Sequence, residues 1–396
     1  MSSMAQSDSI APESTHLCSN LNLTTFEMGA ACGAPLGAPC FNQSLCRQAH
    51  EGGVSPKIYV YDHECTLADS SQLRTIKLVD DRISHQYHDH QHEYWREAVW
   101  EAGLLAETYD EACLFIHVET SAASVPCATT APLWNEGANH LIMQFSDLSR
   151  NKRPSVSNSY AMEGGSNQHA CYCRSGYDIS VPLAPKVLFP EFEKIPAGKR
   201  RYFLTFKGCL YLSGFGQEER AAAARIHDPA RGIVSVVRCF DLHGEHLLPE
   251  NVEYCSRANE IYDSFDYERL MNTTFALVPS GRSPGTYRLG EARDDKPRER
   301  DNEIQNNSIP VFVMRDAVLP LPERIDWASF SFVFTPDDVG PAMIEVLREA
   351  AESGRILGMQ EKSVEAYWKL FGGTTNFSVV AENTVKELSQ RLSVSL

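Results

Sequence analysis

The sequence predicts an α/β protein made of two successive Rossmann-like halves. Three observations carry this expectation. Short apolar runs rich in β-branched and aromatic residues alternate with stretches of helical spacing, the pattern of βαβ units and parallel sheets. The alternation stops in a stretch at 184–200 that holds Pro185, Pro190, Pro196 and Gly198 among charges, and then starts again. No run of about 18 apolar residues interrupts it, so no membrane span is expected.

Residues 1–56 are rich in Ser, Ala, Gly and Asn and carry Cys18, Cys32, Cys40 and Cys46. They show no period of 2 or 3.6, so a cysteine-containing tail or a small disulfide-tied lead-in is expected. The first half is placed at 57–190. KIYVY (57–61) reads as a buried strand. Residues 83–106 follow at helical spacing, with Tyr87, Tyr94, Trp95, Ala98, Val99, Leu104 and Leu105 on one side. CLFIHV (113–118), HLIMQF (140–145) and DISVPL (178–183) read as strands, and 148–174 as a polar loop. The second half is placed at 198–355. YFLTF (202–206), IVSVV (233–237), TFALV (274–278), IPVFV (309–313) and SFVF (331–334) are its strands. Helices are expected near 219–226, 260–271 and 340–352, and the final helices, within 359–392, are expected to cross back to the first half. Ligands of such sheets bind at the carboxyl ends of the strands, so the cleft between the halves is the expected site.

Lys and Arg number 36 against 52 Asp and Glu, a net charge of −16. Such a chain gains little from phosphate counterion release, which argues against a nucleic-acid partner but leaves room for a local basic pocket. Twelve cysteines and sequons at Asn22, Asn42, Asn272, Asn306 and Asn376 suit an oxidising lumen. The first residues, MSSMAQSDSIAPESTH, show neither a basic nor an apolar signal region, so lumenal chemistry stands without an address.

The most informative stretch is TFALVPSGRSPGTYRLGEA (274–292). A strand runs into Pro279, Gly281 and Gly285 and then into an expected helix with Arg288 and Glu291. Glycines let a backbone approach a phosphate, and a helix N-terminus offers free N–H groups and a positive dipole. Arg282 and Arg288 could add charge-assisted bonds to a diphosphate, and Glu291 could accept from a ribose. The plain alternative is a strand–turn–helix with a capping glutamate. A second candidate is RRYFLTFKGCLYLSGFGQEER (200–220). There a strand ending at Phe206-Lys207-Gly208 leads through Gly214 and Gly216 to a helix near Arg220, and Lys207 and Arg220 could reach the same anion. Its plain alternative is a solvated basic edge. His85, His88 and His92 share helical spacing with Asp89, for which a solvated helix face is the simpler reading, and Cys171-Tyr-Cys173 reads as a loop feature.

KIYVYD (57–62), ACLF (112–115), LWNEGANHLI (133–142), YDISVPL (177–183), Phe206–Gly208 with Tyr211, and 274–309 occur in the order found in the exostosin family. Residues 40–392 resemble the N-terminal transferase half of the animal exostosins that build heparan sulfate, and CFNQSLC (40–46) looks like their cysteine lead-in. The resemblance implies a GT-B fold, with two Rossmann-like domains facing across a cleft, and an inverting sugar transfer from a nucleotide sugar. In the animal exostosins that the chain resembles, the donor is UDP-glucuronate and the acceptor a growing glycosaminoglycan. Carried over by motif, Lys207, Tyr211, Arg220, Arg282 and Arg288 would surround the diphosphate and uronate, with Tyr267 nearby and Glu291 on the ribose. Those positive charges would stabilise the leaving diphosphate, so no metal or other cofactor is required beyond the UDP-sugar itself. The base that takes the acceptor proton is expected in the first domain. Glu119 is the first choice, with Asp178 and His140 behind it.

The chain departs from the family in three places. RDDKPRERDNE (293–303) is inserted beside Glu291, as a surface loop or a retained intron. A cysteine pair of many relatives falls here on Ala276 and Ser308. A chain stopping at Leu396 leaves no room for the second transferase domain of the animal exostosins, so a single-linkage transferase is expected. The cysteine pairs expected are Cys46 with Cys113, Cys239 with Cys255, and Cys32 with Cys40. Exostosins are type II membrane proteins of the Golgi or endoplasmic reticulum lumen, so the lack of an anchor reads as a truncated N-terminus. The partners implied are a nucleotide sugar, a polysaccharide or glycoprotein acceptor, and another exostosin in a hetero- or homodimer. Two rivals stay open: a family enzyme for galactose, xylose or arabinose, and a non-catalytic subunit of a transferase complex.

Overall fold

The computed structural model describes residues 57–61, 91–119, 127–131, 133–144, 159–166, 168–170, 173–174, 177–183, 195–211, 216–240, 249–281, 285–286, 289, 308–372 and 378–395. The expectations for 1–56, the start of the helix before Gln91, and the insert at 293–303 lie outside these residues. Two five-stranded sheets organise the rest, and every strand pair in both is parallel.

The first sheet holds β1 (Lys57–Val60), β2 (Ala112–Glu119), β3 (His140–Gln144), β4 (Met162–Gly165) and β5 (Ile179–Ser180), side by side in chain order. Its strands are apolar on both faces, as parallel strands must be when both faces are covered. Ile58, Val60, Leu114, Ile116, Leu141 and Met143 enter the main core. Their neighbours Tyr59, Tyr61, Phe115 and Ile142 enter a second cluster with Ala106, Ala128 and Ala161. This is the period of two expected of a pleated strand.

The second sheet holds β6 (Tyr202–Tyr211), β7 (Ile233–Phe240), β8 (Thr273–Pro279), β9 (Ile309–Val313) and β10 (Phe332–Phe334), in the order β10-β9-β8-β6-β7. The chain enters mid-sheet at β6, steps out to β7, then crosses back to build β8, β9 and β10 on the other side. A reversal of this kind leaves a crevice between the two strands where the direction changes, here β6 and β8.

Helices α1 (Gln91–Glu101), α2 (Gln217–Ala224), α3 (Pro249–Asp263), α4 (Tyr267–Leu270), α5 (Pro341–Glu352), α6 (Arg355–Phe371) and α7 (Ser378–Ser395) complete the described chain. On α5, Met343, Ile344, Leu347 and Ala350 are buried, one apolar stripe at helical spacing. The last helix, α7, packs against α1 of the first sheet's layer. Val380, Ala381, Val385 and Leu388 share one core with Trp95, Ala98 and Val99. The segment leading into β6 is tied to α6 and β8: Gln360 accepts from Ala197 N at 2.9 Å, and Thr274 Oγ1 donates to Ala197 O at 2.5 Å.

Four expectations are corrected. The stretch 148–174 contains a strand, β4, whose sequence Met-Glu-Gly-Gly carries no apolar alternation. Close backbone approach replaces it. A Cβ on Gly164 would sit 2.2 Å from Met143 Sδ, and one on Gly165 2.0 Å from Gln144 O. The strand expected over 178–183 shrinks to Ile179–Ser180, since Pro182 has no N–H to give a ladder. The strand expected at 202–206 runs on to Tyr211 through Gly208, which packs over the Phe206 ring. The helix expected at 260–271 is two helices. Asp266 breaks the run and caps the second, its side chain accepting from Arg269 N at 2.9 Å.

Candidate active site at the strand ends

The crevice between β6 and β8 is shaped by one buried cation. Arg220, on α2, donates from Nε to Ser280 O at 2.8 Å and from Nη1 to Cys209 O at 2.8 Å. It thereby ties the carboxyl end of β8 to that of β6. Its guanidinium also lies 4.6 Å from the Tyr211 ring centre and 5.7 Å from that of Phe206. A planar fork with five donors can hold two carbonyls and an aromatic face at once, which an ammonium cannot.

Glycine makes this packing possible. Gly216 precedes α2 with φ 71°, and a Cβ there would meet Gly281 O at 2.2 Å and Ser280 O at 2.7 Å. The N-terminus of α2 therefore rests on the Ser280–Gly281 turn. Gly285 abuts the first sheet: a Cβ there would sit 2.2 Å from Ser166 O, just past β4. The carboxyl ends of the two sheets thus meet at the glycine turn.

Of the expected donor-site residues, Tyr211 and Arg220 come together, while Lys207 only shares β6 with Tyr211. Two of the three carry structural loads. The Lys207 ammonium donates to Phe265 O at 2.5 Å and sits 4.1 Å from the Tyr262 ring centre, on the face covered by α3. Tyr267 opens α4 and packs in the cluster of Val234, Val236, Leu270 and Met271 on the sheet face, away from the strand ends. Arg282, Arg288 and Glu291 lie outside the described residues.

On the acceptor side, Glu119 is the last residue of β2 and pairs with Gln144 of β3, so it stands at the carboxyl edge of the first sheet. Asp178 is different. Its Oδ1 accepts from Glu163 N at 2.8 Å and Arg174 Nη2 at 2.7 Å, and its Oδ2 from Arg174 N at 2.8 Å and Arg174 Nε at 2.9 Å. All four lone-pair directions of the carboxylate are occupied, so none is left for a substrate hydroxyl. The geometry makes Asp178 the clamp of the 174–178 turn. Beside it, burial pushes the Cys173 thiol up to about 12, with Asp178, Glu323 and Glu163 adding to the rise.

His140 is fully buried at the start of β3, away from the carboxyl edge. Its Nδ1 lies 2.9 Å from Ala138 O and must donate there, which leaves Nε2 to accept from the Tyr61 hydroxyl at 3.1 Å. The ring stacks on Phe115 at 4.7 Å. Burial holds its pKa down to about 4. His140 is thus a neutral core histidine. His92 lies on α1, while His85, His88 and Asp89 fall outside the described residues. Among the described residues no group of three His, Cys, Asp or Glu could hold a metal.

Spacing alone assigns no role to Ser280. Its hydroxyl is buried, with no hydrogen-bond partner among the described residues, at the strand end where the chain reverses. The signal that marks it is the Pro-Ser-Gly order, a hydroxyl set directly before a glycine turn at a strand end.

Cys239 and Cys255 form a disulfide that ties the end of β7 to α3, as expected. Cys113 is also disulfide-bonded. Its expected partner Cys46, and the pair Cys32 with Cys40, lie outside the described residues. Cys173 and Cys209 are free thiols.

A paired-sheet α/β chain whose second sheet reverses its strand order has the architecture that sets ligand crevices at its strand ends. The comparison with known proteins narrows this. The exostosin GT47 domain matches residues 53–349. The chain belongs to the exostosin family of glycosyltransferases. It is 29% identical to Exostosin-1 of Drosophila melanogaster over 272 residues, which is 63% of this chain and 33% of that protein. Exostosin-1c of Danio rerio is 32% identical over 211 residues, 50% of this chain and 26% of its own length. The chain therefore spans about a third or less of the curated relatives it matches. Sucrose-phosphate synthase from Thermosynechococcus elongatus aligns over 89% of this chain and 93% of its own, at 11% identity and a TM-score of 0.36, too distant a likeness to bear on function.

Proposed function

We propose that this chain is an inverting transferase that moves glucuronic acid from UDP-glucuronate to a glycosaminoglycan acceptor of the heparan sulfate type. The observation that carries the reading is the Arg220–Ser280–Gly216 junction at the reversal between β6 and β8, in a chain of the exostosin family. The GT-B reading is supported by two parallel sheets whose carboxyl ends meet at Gly285.

In this reading the second sheet holds the donor. The N-terminus of α2 and the backbone amides around Gly281 face the diphosphate, where partial positive charge favours an anion. The Ser280 hydroxyl donates to it. Arg282 and Arg288 add the charge that stabilises the leaving UDP, and Glu291 accepts from the ribose. The donor is a substrate, and neither a metal nor another cofactor is required. Glu119, at the edge of the first sheet, takes the proton of the acceptor hydroxyl as that oxygen attacks the anomeric carbon and UDP departs from the opposite face. The polymer or glycoprotein acceptor lies across the first sheet, and a second exostosin subunit completes a hetero- or homodimer. The Cys239–Cys255 disulfide supports a Golgi or endoplasmic reticulum location, since such bonds persist in oxidising lumens.

A panel of UDP-sugars tests the donor. UDP-glucuronate should raise the melting temperature most and should release UDP when an oligosaccharide acceptor is present. A larger shift with UDP-galactose, UDP-xylose or UDP-arabinose would move the specificity to that sugar. Glu119→Gln should lower kcat by roughly 10²–10⁴-fold while UDP affinity stays unchanged. An unaltered kcat would remove Glu119 as the base.

One observation favours a second reading. Lys207 and Arg220 both spend their charge on backbone carbonyls of this chain. A non-catalytic subunit that keeps the fold and binds a catalytic exostosin would look the same. The isolated protein would then hydrolyse and transfer no UDP-sugar, yet would raise the turnover of a co-expressed exostosin.

A further inference from the structure

The two sheets are stitched together at one edge of the cleft by a short antiparallel pair that belongs to neither sheet. His169, from the loop after β4, bridges Ala317, from the loop after β9. Ala170 N donates to Asp316 O at 2.6 Å, and Val318 N donates to Gln168 O at 3.1 Å. Ser180, at the end of β5, extends the seam twice. Its Oγ donates to Val318 O at 2.8 Å, and its carbonyl accepts from Leu321 N at 2.8 Å. Gln168, His169 and Ser180 are all buried.

The backbone is bent to make this seam. Asp316 has φ 60° and Leu321 has φ 43°, so both ends of the 316–321 segment use the left-handed region. Aspartate tolerates that region and leucine does not, so the conformation is held by its surroundings and not by local preference. Just beside the seam, Gly285 of the donor turn is seated on Ser166 O, one residue past β4. The main apolar core also runs without a break from the first sheet into the second. Domains free to hinge keep separate cores and small polar interfaces.

We propose that the 168–170/316–318 pair is a fixed pivot and Asp316 its positioning residue. It holds the donor turn of the second sheet in register with the carboxyl edge of the first and stays closed throughout the catalytic cycle. The inference rests on the transferase reading for its kinetic consequence, while its structural content stands apart from that reading. The class of motion it denies is the opening and closing of two hinged domains around a substrate. The cleft is set in advance, and donor and acceptor enter a preformed space.

The flanking bonds make His169 and Ala317 a non-hydrogen-bonded antiparallel pair, in which Cα atoms lie about 4.5 Å apart and a disulfide can form without backbone movement. The test is the double variant His169→Cys/Ala317→Cys, with each single variant as control and the new bond verified by peptide mass mapping. A fixed pivot predicts that the cross-linked protein turns over within about twofold of the single variants. A loss of tenfold or more that mild reduction restores would overturn it. Hydrogen exchange gives a readout that needs no activity. The Ala170 and Val318 amides should exchange only with global unfolding, with or without UDP, and fast exchange in either state would sink the proposal. Asp316→Val, which disfavours positive φ, should lower kcat and raise the acceptor KM with UDP affinity unchanged, and Asp316→Asn and Asp316→Gly should restore both values. If the wild-type chain neither binds nor turns over any UDP-sugar, the transferase reading fails, and the exchange result still decides the pivot.

Discussion

The two sheets are built from the same material and do different things. Each has five parallel strands with apolar faces on both sides, yet only the second reverses its strand order among the described residues. The first runs β1 to β5 in sequence, so successive strands simply extend one edge. The second starts in its middle, and the change of direction between β6 and β8 leaves the strand ends apart. Into that gap come α2, Gly216 and the Ser280–Gly281 turn. The difference teaches where polar chemistry is affordable. The first sheet turns its buried polar groups on itself, in the Arg174–Asp178 ion pair and in the neutral His140–Tyr61 bond. The second spends one on the shape of a crevice.

The sharpest test of that contrast is Asp178→Ala. It leaves the Arg174 guanidinium, whose side chain is 8% exposed, without its carboxylate. Breaking a buried pair in this way costs about 3–5 kcal/mol. Urea unfolding should show that loss, and any protein still folded should bind UDP normally. A stable Asp178→Ala protein with a collapsed kcat would return the residue to the catalytic candidates.

Arg220→Ala should follow with a smaller stability loss and a larger functional one. It strands the Ser280 and Cys209 carbonyls in a buried setting, worth about 2–3 kcal/mol. It also frees the α2 N-terminus from the glycine turn, so calorimetry should find no UDP affinity. Arg220→Lys keeps the charge without the fork and should recover stability only in part. Equal UDP affinity in all three proteins would detach the crevice from donor binding.

How much of this was legible beforehand differs between the sheets for the same reason. The strands read well wherever β-branched and aromatic residues cluster, as in IPVFV at β9, whose bounds match residue for residue. β4 was illegible because Met-Glu-Gly-Gly is a strand only through what its glycines touch, Met143 and Gln144, and contact across a sheet leaves no periodic trace. β6 was cut short because Gly208 resembles a turn, whereas it makes room for the Phe206 ring and Arg220. Arg220 was recognisable as a cation near the anion site. Its use as a brace between two carbonyls was not, since hydrogen-bond partners 60 residues away are a property of the fold. Asp178 shows the same limit: an acidic residue at a strand start has one appearance in sequence, whether it is a base or a clamp.

The smallest effect concerns pH and again separates the sheets. His140 is neutral in the folded protein because burial holds its pKa to about 4, against an ordinary value of 6.5. A group whose folded pKa is depressed contributes stability that is complete above the unfolded value and is lost as pH falls toward the folded one. The window is therefore pH 6.5 down to 4. Lowering the pH to 5 should cost about 2 kcal/mol, because the unfolded chain gains a proton that the folded chain refuses. His140→Phe should flatten that slope, at the expense of the bond from the Tyr61 hydroxyl at every pH. In the second sheet burial also holds the His227 imidazole below its ordinary value, but that ring is only partly buried, so amide exchange at pH 5 should rise first in β1 and β3. If β6 and β8 open together with them, the single continuous core couples the sheets too tightly for either to respond alone.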